Sequence, residues 1–422
     1  MLLRLLRTAL LSLSACFALT QAAPSPFRLG SRSLTFDYSS QKVRGVNLGG
    51  WLVLEPWITP SIFEAAGNSA VDEWTLSQIL ANNALSTLST HWNTWITADD
   101  FAHIASLGLN HVRIPIGYWA INPLPSEPFV QGQLSLLDQA IGWARTSGIK
   151  VIIDLHGAPG SQNGFDNSGR RGNIEWQQGF TVNQTLDAIQ ALASRYVNDA
   201  DVVAAIELLN EPFVARGVQL DPLKQFYYDG WGRIRQYSHD TTVVIHDGFL
   251  DPVSAWNGFM NAASGVWYVM LDTHHYEIFD SGQLQISTDQ HIQAACSFGS
   301  NEVAKTDKWT IVGEWTGALT DCAKYLNGRG VGARYDGTYQ GSTAIIGSCN
   351  GKSQGSVAGL SADEQTSIRR FIEAQLDAFE MNTGWIYWTW KTEGAPEWDM
   401  QQQIAGGVFP NPVTSRKFPK AC

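Results

Sequence analysis

Charge is scarce in this chain of 422 residues: 16% are Asp, Glu, Lys or Arg, against about 25% in ordinary soluble domains. Positive charge is scarcer still, with 28 Lys and Arg facing 39 Asp and Glu, a net of −11. That balance excludes a surface built to neutralise nucleic-acid phosphates. There are only five Cys, and none form a Cys-x-x-Cys pair, which argues against a zinc site. No His-x-His or His-Glu-x-x-His spacing occurs, so the nine His do not read as a metallohydrolase centre. No metal and no cofactor is expected. Beyond the N-terminus no apolar run approaches the ~18 residues of a membrane span, and membrane insertion is not expected. Apolar material is plentiful, at 44% hydrophobic residues with 17 Trp and 39 Gly. A large core is therefore within reach, and disorder is excluded. Flat aromatic faces and many turns suit a protein that grips something planar such as a sugar ring, although Trp also fills cores.

Arg4 and Arg7 precede an apolar run from Thr8 to Leu19, and Thr20-Gln21-Ala22-Ala23 supplies small residues before Pro24. This pattern predicts a secretory signal peptide over 1–23 and a mature chain over 24–422, extracellular or in a cell wall. Cys16 falls in the signal, leaving Cys296, Cys322, Cys349 and Cys422. Four cysteines in a secreted chain predict two disulfides, with three connectivities open. Asn183-Gln184-Thr185 is the one N-glycosylation sequon. A monomer is expected.

Apolar runs of strand length recur at Val43–Gly49, His111–Gly117, Lys150–His156, Val202–Asn210, Thr242–Asp247, Trp267–His274, Thr310–Glu314 and Gly384–Trp390. Helical periodicity lies between them, as in Leu134-Leu137-Ile141-Ala144, Leu186-Ile189-Leu192-Tyr196 and Ile368-Phe371-Ile372-Leu376-Phe379. Thr97 is a candidate N-cap with an acidic first turn behind it. Eight wholly apolar strands alternating with helices predict a single-domain α/β (β/α)8 barrel. The Gly/Ser-rich stretch 327–359 reads as an elaborated loop after the seventh strand, held by cysteines. Long loops at Trp57–Thr90, Phe165–Gln178 and Cys322–Cys349 are expected to shape the barrel mouth.

In such barrels chemistry gathers at the C-terminal strand ends. Those ends carry Arg113, His156, Asn210-Glu211, His274 with Tyr276, Glu314 and Trp390. Each alone is compatible with a solvated, ion-paired or core residue; their conjunction points to a site. Glu211 and Glu314 form the natural pair, since glycoside cleavage needs one carboxyl as acid and a second as nucleophile or base. A cation and a hydroxyl at Arg113 and Tyr276 would hold Glu314 ionised, and burial beside a negative neighbour would keep Glu211 protonated. His275 should face away, because strand neighbours point to opposite faces. Glu207, deeper on the fourth strand, reads as a partner for an inward cation. Trp51, Trp57, Trp119, Trp385 and Trp388 read as core. Gly157–Gly164 lacks the endings that make a phosphate cradle.

Seven blocks in order carry a resemblance: Arg44–Trp51, Val112–Trp119, Asp154–Gly164, Leu209-Asn210-Glu211-Pro212, His274-His275-Tyr276, Gly313-Glu314-Trp315 and Trp388–Glu393. Together they resemble the fungal exo-β-1,3-glucanases of glycoside hydrolase family 5, retaining (β/α)8 enzymes. The resemblance implies Glu211 as acid/base and Glu314 as nucleophile, with Arg113, His156, Asn210, His274 and Tyr276 around them. It implies Trp390 as the platform under the reacting sugar, and Glu55, Asp166 and Asn167 as binders of sugar hydroxyls. It further implies Phe165 and Phe279 as an aromatic clamp at the entrance, and the disulfides Cys296–Cys422 and Cys322–Cys349. The expected substrate is a β-1,3-glucan, cut from its non-reducing end with possible transfer to a second sugar. An endo-acting β-glucanase of the same family and a non-catalytic wall-glucan-binding protein are the alternatives.

Overall fold

The computed structural model describes residues 34–419 apart from 343, together with 421 and 422. The predicted signal peptide 1–23 lies outside the described residues. Eight parallel strands close into a barrel in sequence order: β1 (Val43–Asn47), β2 (His111–Gly117), β3 (Lys150–Gly157), β4 (Val203–Glu207), β5 (Thr242–His246), β6 (Val269–His275), β7 (Trp309–Trp315) and β8 (Gly384–Tyr387). β8 pairs back onto β1. Every predicted strand is present. Several end earlier than their apolar runs, because the residues beyond leave the ladder to build the barrel mouth.

Between β1 and β2 run four helices, α1 (Pro60–Ala66), α2 (Glu73–Leu80), α3 (Ala84–Trp95) and α4 (Ala98–Ser106). The stretch Trp57–Thr90, expected as loop, is thus largely helical; its apolar positions Phe63, Leu76 and Leu88 are buried in the core. Thr97 caps α4 as predicted, in a capping box with Asp100. The outer ring continues with α5 (Gln133–Ser147), α6 (Thr181–Arg195), α7 (Leu220–Arg235), α8 (Pro252–Trp256), α9 (Thr288–Asn301), α10 (Ala362–Phe379) and α11 (Met400–Ala405). The three periodic segments read from the sequence lie in α5, α6 and α10. Cys296–Cys422 and Cys322–Cys349 are both disulfide-bonded. Among the described residues no helix is long and apolar enough to cross a membrane.

The barrel interior is layered. At its N-terminal end Val43, Ile152, Ala205, Val244, Met270, Ile311 and Ile386 form an apolar floor joined by Phe36 and Tyr38. Burying each of the larger of these side chains stabilises the fold by about 1.5–3 kcal/mol. Above the floor the same inward positions turn polar: Asn47, Arg113, Asp154, Glu207 and Asp272 are all fully buried. Arg113 Nε donates to Glu207 Oε2 at 2.7 Å, Nη1 to Asn47 Oδ1 at 3.1 Å and Nη2 to Asn210 Oδ1 at 2.8 Å. Glu207 is therefore the inward cation's partner that its depth on the strand suggested. Removing one member of such a layer would strand buried charge, which costs far more than an exposed ion pair contributes.

Candidate active site

A cavity of roughly 800 Å³ opens at the C-terminal end of the barrel. Its wall includes Glu55, Phe165, Asp166, Asn167 and Glu211, with His274, Tyr276, Phe279 and Glu314 opposite in sequence. All nine were candidates from the sequence. Glu211 lies on the segment leaving β4, in the left-handed region at φ 48°, a conformation that non-glycine residues adopt mainly where the surroundings force it. Gln162 supplies part of that force. Its Nε2 donates to the carbonyls of His156 (2.9 Å) and Asn210 (2.8 Å), tying the loop after β3 to the segment that presents Glu211.

Glu314 reaches the cavity through a register shift. Between β6 and β7 the pairing steps from Thr273–Val312 to His274–Glu314, passing over Gly313. The extra residue turns the Glu314 carboxylate inward, as bulges do beside functional sites. Only glycine fits there, because a Cβ at Gly313 would sit 2.1 Å from Asp272 Oδ2. Asp272 in turn accepts from Gly313 N at 2.7 Å.

The two carboxylates converge: the facing atoms of Glu211, His274 and Glu314 all lie within 4.8 Å of one another. Glu314 Oε1 accepts from Arg113 Nη1 and Oε2 from Tyr276 Oη, each at 2.9 Å. Glu211 Oε1 accepts from His274 Nδ1 at 2.9 Å, and Oε2 from Asn167 Nδ2 at 3.1 Å and Asn163 Nδ2 at 3.4 Å. The electrostatics differ from the sequence expectation. Burial raises Glu211, but the His274 hydrogen bond and the charges of His274 and His156 outweigh it, and its carboxyl stands below the ordinary value. Glu314 stands above its ordinary value, because burial, reinforced by Glu211, outweighs His274 and Arg113. His274 is desolvated too, yet Glu314, Asp272 and Glu211 together lift it well above an ordinary histidine. His274 thus competes with Glu211 for the proton expected on that carboxyl, one hydrogen bond away.

Arg113, His156 and Asn210 lie buried beneath the wall rather than in it. His156 Nδ1 donates to Asp154 Oδ2 at 2.6 Å and its ring stacks on Trp388 at 5.5 Å. His156 Nε2, Asn210 Nδ2, Glu55 Oε1 and Asp166 Oδ2 are buried polar atoms without a protein partner, a costly state unless a ligand completes them. Burial pushes the Asp166 carboxyl up to about 7 and Glu55 well above its usual range.

Trp390 is corrected by the structure. It is fully buried, its Nε1 donates to Asp100 Oδ1 at 2.8 Å on α4, and it packs against His103. It therefore belongs to the layer between barrel and outer helices, and Trp388 faces the cavity instead. Trp57 and Trp398 also line the wall, with rings 4.9 Å apart, whereas Trp51, Trp119 and Trp385 are core as expected. A small alternation rule separated His274 from its neighbour correctly: the His275 side chain points away from the barrel interior, bonds Glu277 at 2.9 Å and stacks on Phe298. No sequence signal marked Arg334 and Tyr339, which join the wall from the loop stapled by Cys322–Cys349.

The chain is similar to known proteins over nearly its whole length. It is 57% identical to the probable glucan 1,3-beta-glucosidase A of Aspergillus niger, covering 99% of this chain and 98% of that one. It is 60% identical to the protein of the same name from Emericella nidulans, over 91% and 93% of the two chains. Among solved structures, the rutinosidase of Aspergillus niger superposes with a TM-score of 0.69 at 22% identity, over 89% of this chain and 99% of that one, a likeness of fold. The profile of the family described as Cellulase (glycosyl hydrolase family 5) matches residues 75–328. By its barrel, its two convergent glutamates and these likenesses, the chain belongs to glycoside hydrolase family 5.

Proposed function

We propose that this chain is a secreted, retaining exo-β-1,3-glucosidase that removes glucose from the non-reducing ends of β-1,3-glucan. The observation that carries the reading is the approach of Glu211 and Glu314 to within 4.8 Å at their facing atoms. Double displacement needs carboxyls about 5–5.5 Å apart, whereas inversion leaves a gap of ~6.5–9.5 Å for water. The names of the relatives support the linkage. The two disulfides support secretion, since such bonds persist in oxidising compartments.

Glu314 attacks the anomeric carbon as the glycosidic bond breaks, and the leaving oxygen takes a proton from Glu211. That proton reaches Glu211 from His274 before the bond breaks, through their 2.9 Å hydrogen bond, and its departure leaves Glu211 a carboxylate. Once the glycosyl ester has neutralised Glu314, Glu211 is free to accept a proton from the incoming water. A second sugar in place of that water would give transfer. Trp388 serves as the platform under the reacting ring, and the unpaired atoms of Glu55 and Asp166 meet its hydroxyls. Phe165 and the 40% exposed Phe279 flank the next sugar at the mouth.

Glu314→Gln is expected to lower kcat on laminarin by about 10⁴-fold or more, with an unchanged circular dichroism spectrum and retained oligosaccharide binding. Wild-type product, followed by NMR from the first turnover, is expected to be β-glucose. An α product would exclude double displacement, oligosaccharides from the outset would assign endo action, and no product at all would leave a binding protein.

A further inference from the structure

Phe180 is the most exposed large apolar side chain among the described residues, at 83%. It precedes α6 as the N-cap residue, and its carbonyl accepts from Gln184 N at 3.0 Å, which brings it into the first helical turn. Among the described residues its ring belongs to none of the hydrophobic clusters. Three residues on stands exposed Asn183, the first residue of Asn183-Gln184-Thr185. Residues i and i+3 of a helix share a face with Cβ atoms about 5–6 Å apart, and helical side chains lean toward the N-terminus. The Asn183 amide therefore leans over the turn that carries the Phe180 ring.

We propose that Asn183 carries an N-linked glycan and that Phe180 is the stacking platform for its first N-acetylglucosamine. A pyranose presents a face of C–H groups, and an aromatic ring covers it with favourable contact while losing its own exposure to water. In the modification, a polyprenyl-diphosphate-linked oligosaccharide reacts with Asn183 Nδ2. The bond from sugar C1 to the diphosphate oxygen breaks, a C1–Nδ2 bond forms, Nδ2 gives up one proton and the diphosphate leaves with the negative charge. The Thr185 hydroxyl is buried in the fold, donating to Thr181 O at 2.7 Å and accepting from Trp176 Nε1 at 3.1 Å. Transfer thus precedes packing of α6, while Asn183 stays outside afterwards. The proposal rests on secretion and not on the reading of the two glutamates, and no cavity-wall residue comes from α6.

The test uses the full chain from a eukaryotic secretory host as wild type, F180A, N183Q and the double variant. Trimming with an endoglycosidase that leaves one sugar is expected to leave one N-acetylhexosamine on the peptide holding Asn183. N183Q is expected to lower Tm by about 1–2 °C in the wild-type background and to have little effect in the F180A background. A bare Asn183 in the secreted protein, or an equal N183Q effect in both backgrounds, overturns the proposal. Nitrophenol release from a β-glucoside is expected to be the same in all four proteins. Its absence from all four would count against the glucosidase reading and leave the mass and Tm results to decide this one.

Discussion

At Glu211 burial is the largest single influence and raises the carboxyl, yet the His274 hydrogen bond and the charges of His274 and His156 together outweigh it. The consequence for pH dependence follows from His274. As an imidazolium it lowers the Glu314 carboxyl and stores the acid proton beside Glu211. His274→Asn removes both effects: Glu314 then titrates higher, so the low-pH limb of kcat/KM moves up. The acid proton rests on a carboxyl alone, so the high-pH limb moves down. The expected profile is narrowed from both sides with a maximum lowered roughly 10²-fold, measured on a nitrophenyl β-glucoside. Which residues gather at the barrel mouth was largely legible in the sequence, because strand ends of a barrel deliver their side chains to one mouth. The sense of the shifts was not, since it turns on a 2.9 Å contact between groups 63 residues apart. Trp388 and Trp390 show the same limit: both follow β8, and only the position of Asp100 on α4 draws Trp390 outward.

Strands and amphipathic helices were legible because burial imposes periods of two and 3.6 residues on composition. Two element-level features were not. The register shift at Gly313 has no signature beyond one glycine, and it requires knowing that Asp272 occupies the space a side chain would need. The loop between β7 and α10 was recognised as long, cysteine-stapled and part of the mouth, but which of its side chains form the wall was not legible. Its order comes from buried Asp321, whose carboxylate accepts from the backbone N–H of Arg334 (2.8 Å) and Tyr335 (3.0 Å). That arrangement sets the Arg334 guanidinium 3.9 Å over the Tyr339 ring at the cavity. A chain whose end sugar sits among the buried glutamates must leave past this rim. Tyr339→Ala is therefore expected to raise KM for laminari-oligosaccharides of three or more units about five- to tenfold, an aromatic contact of ~1 kcal/mol. Hydrolysis of the nitrophenyl glucoside should be unaffected.

For the molecule as a whole, the barrel closes through β8 on β1, and the chain beyond it is tied back at Cys296–Cys422 across 126 residues. Glu373 on α10 also holds this tail, accepting from the N–H groups of Lys417 and Phe418 at 2.8 and 2.7 Å. Closing a loop of that length restricts the unfolded chain by the equivalent of about 5 kcal/mol in the entropic account, an upper figure. Replacing both cysteines by serine should lower the urea midpoint of unfolding accordingly. Turnover at 25 °C should remain, since no described residue after Trp398 lines the cavity.

The sequence by itself determined the barrel, the two glutamates and most of the residues around them, because apolar periodicity and strand-end chemistry are written in local order. Only the tertiary structure decided the sense of the pKa shifts at Glu211 and Glu314, which tryptophan faces the cavity and which side chains of the long loops line it. Those properties depend on distances between groups far apart in the chain, and electrostatic and packing energies vary with such distances rather than with position along it.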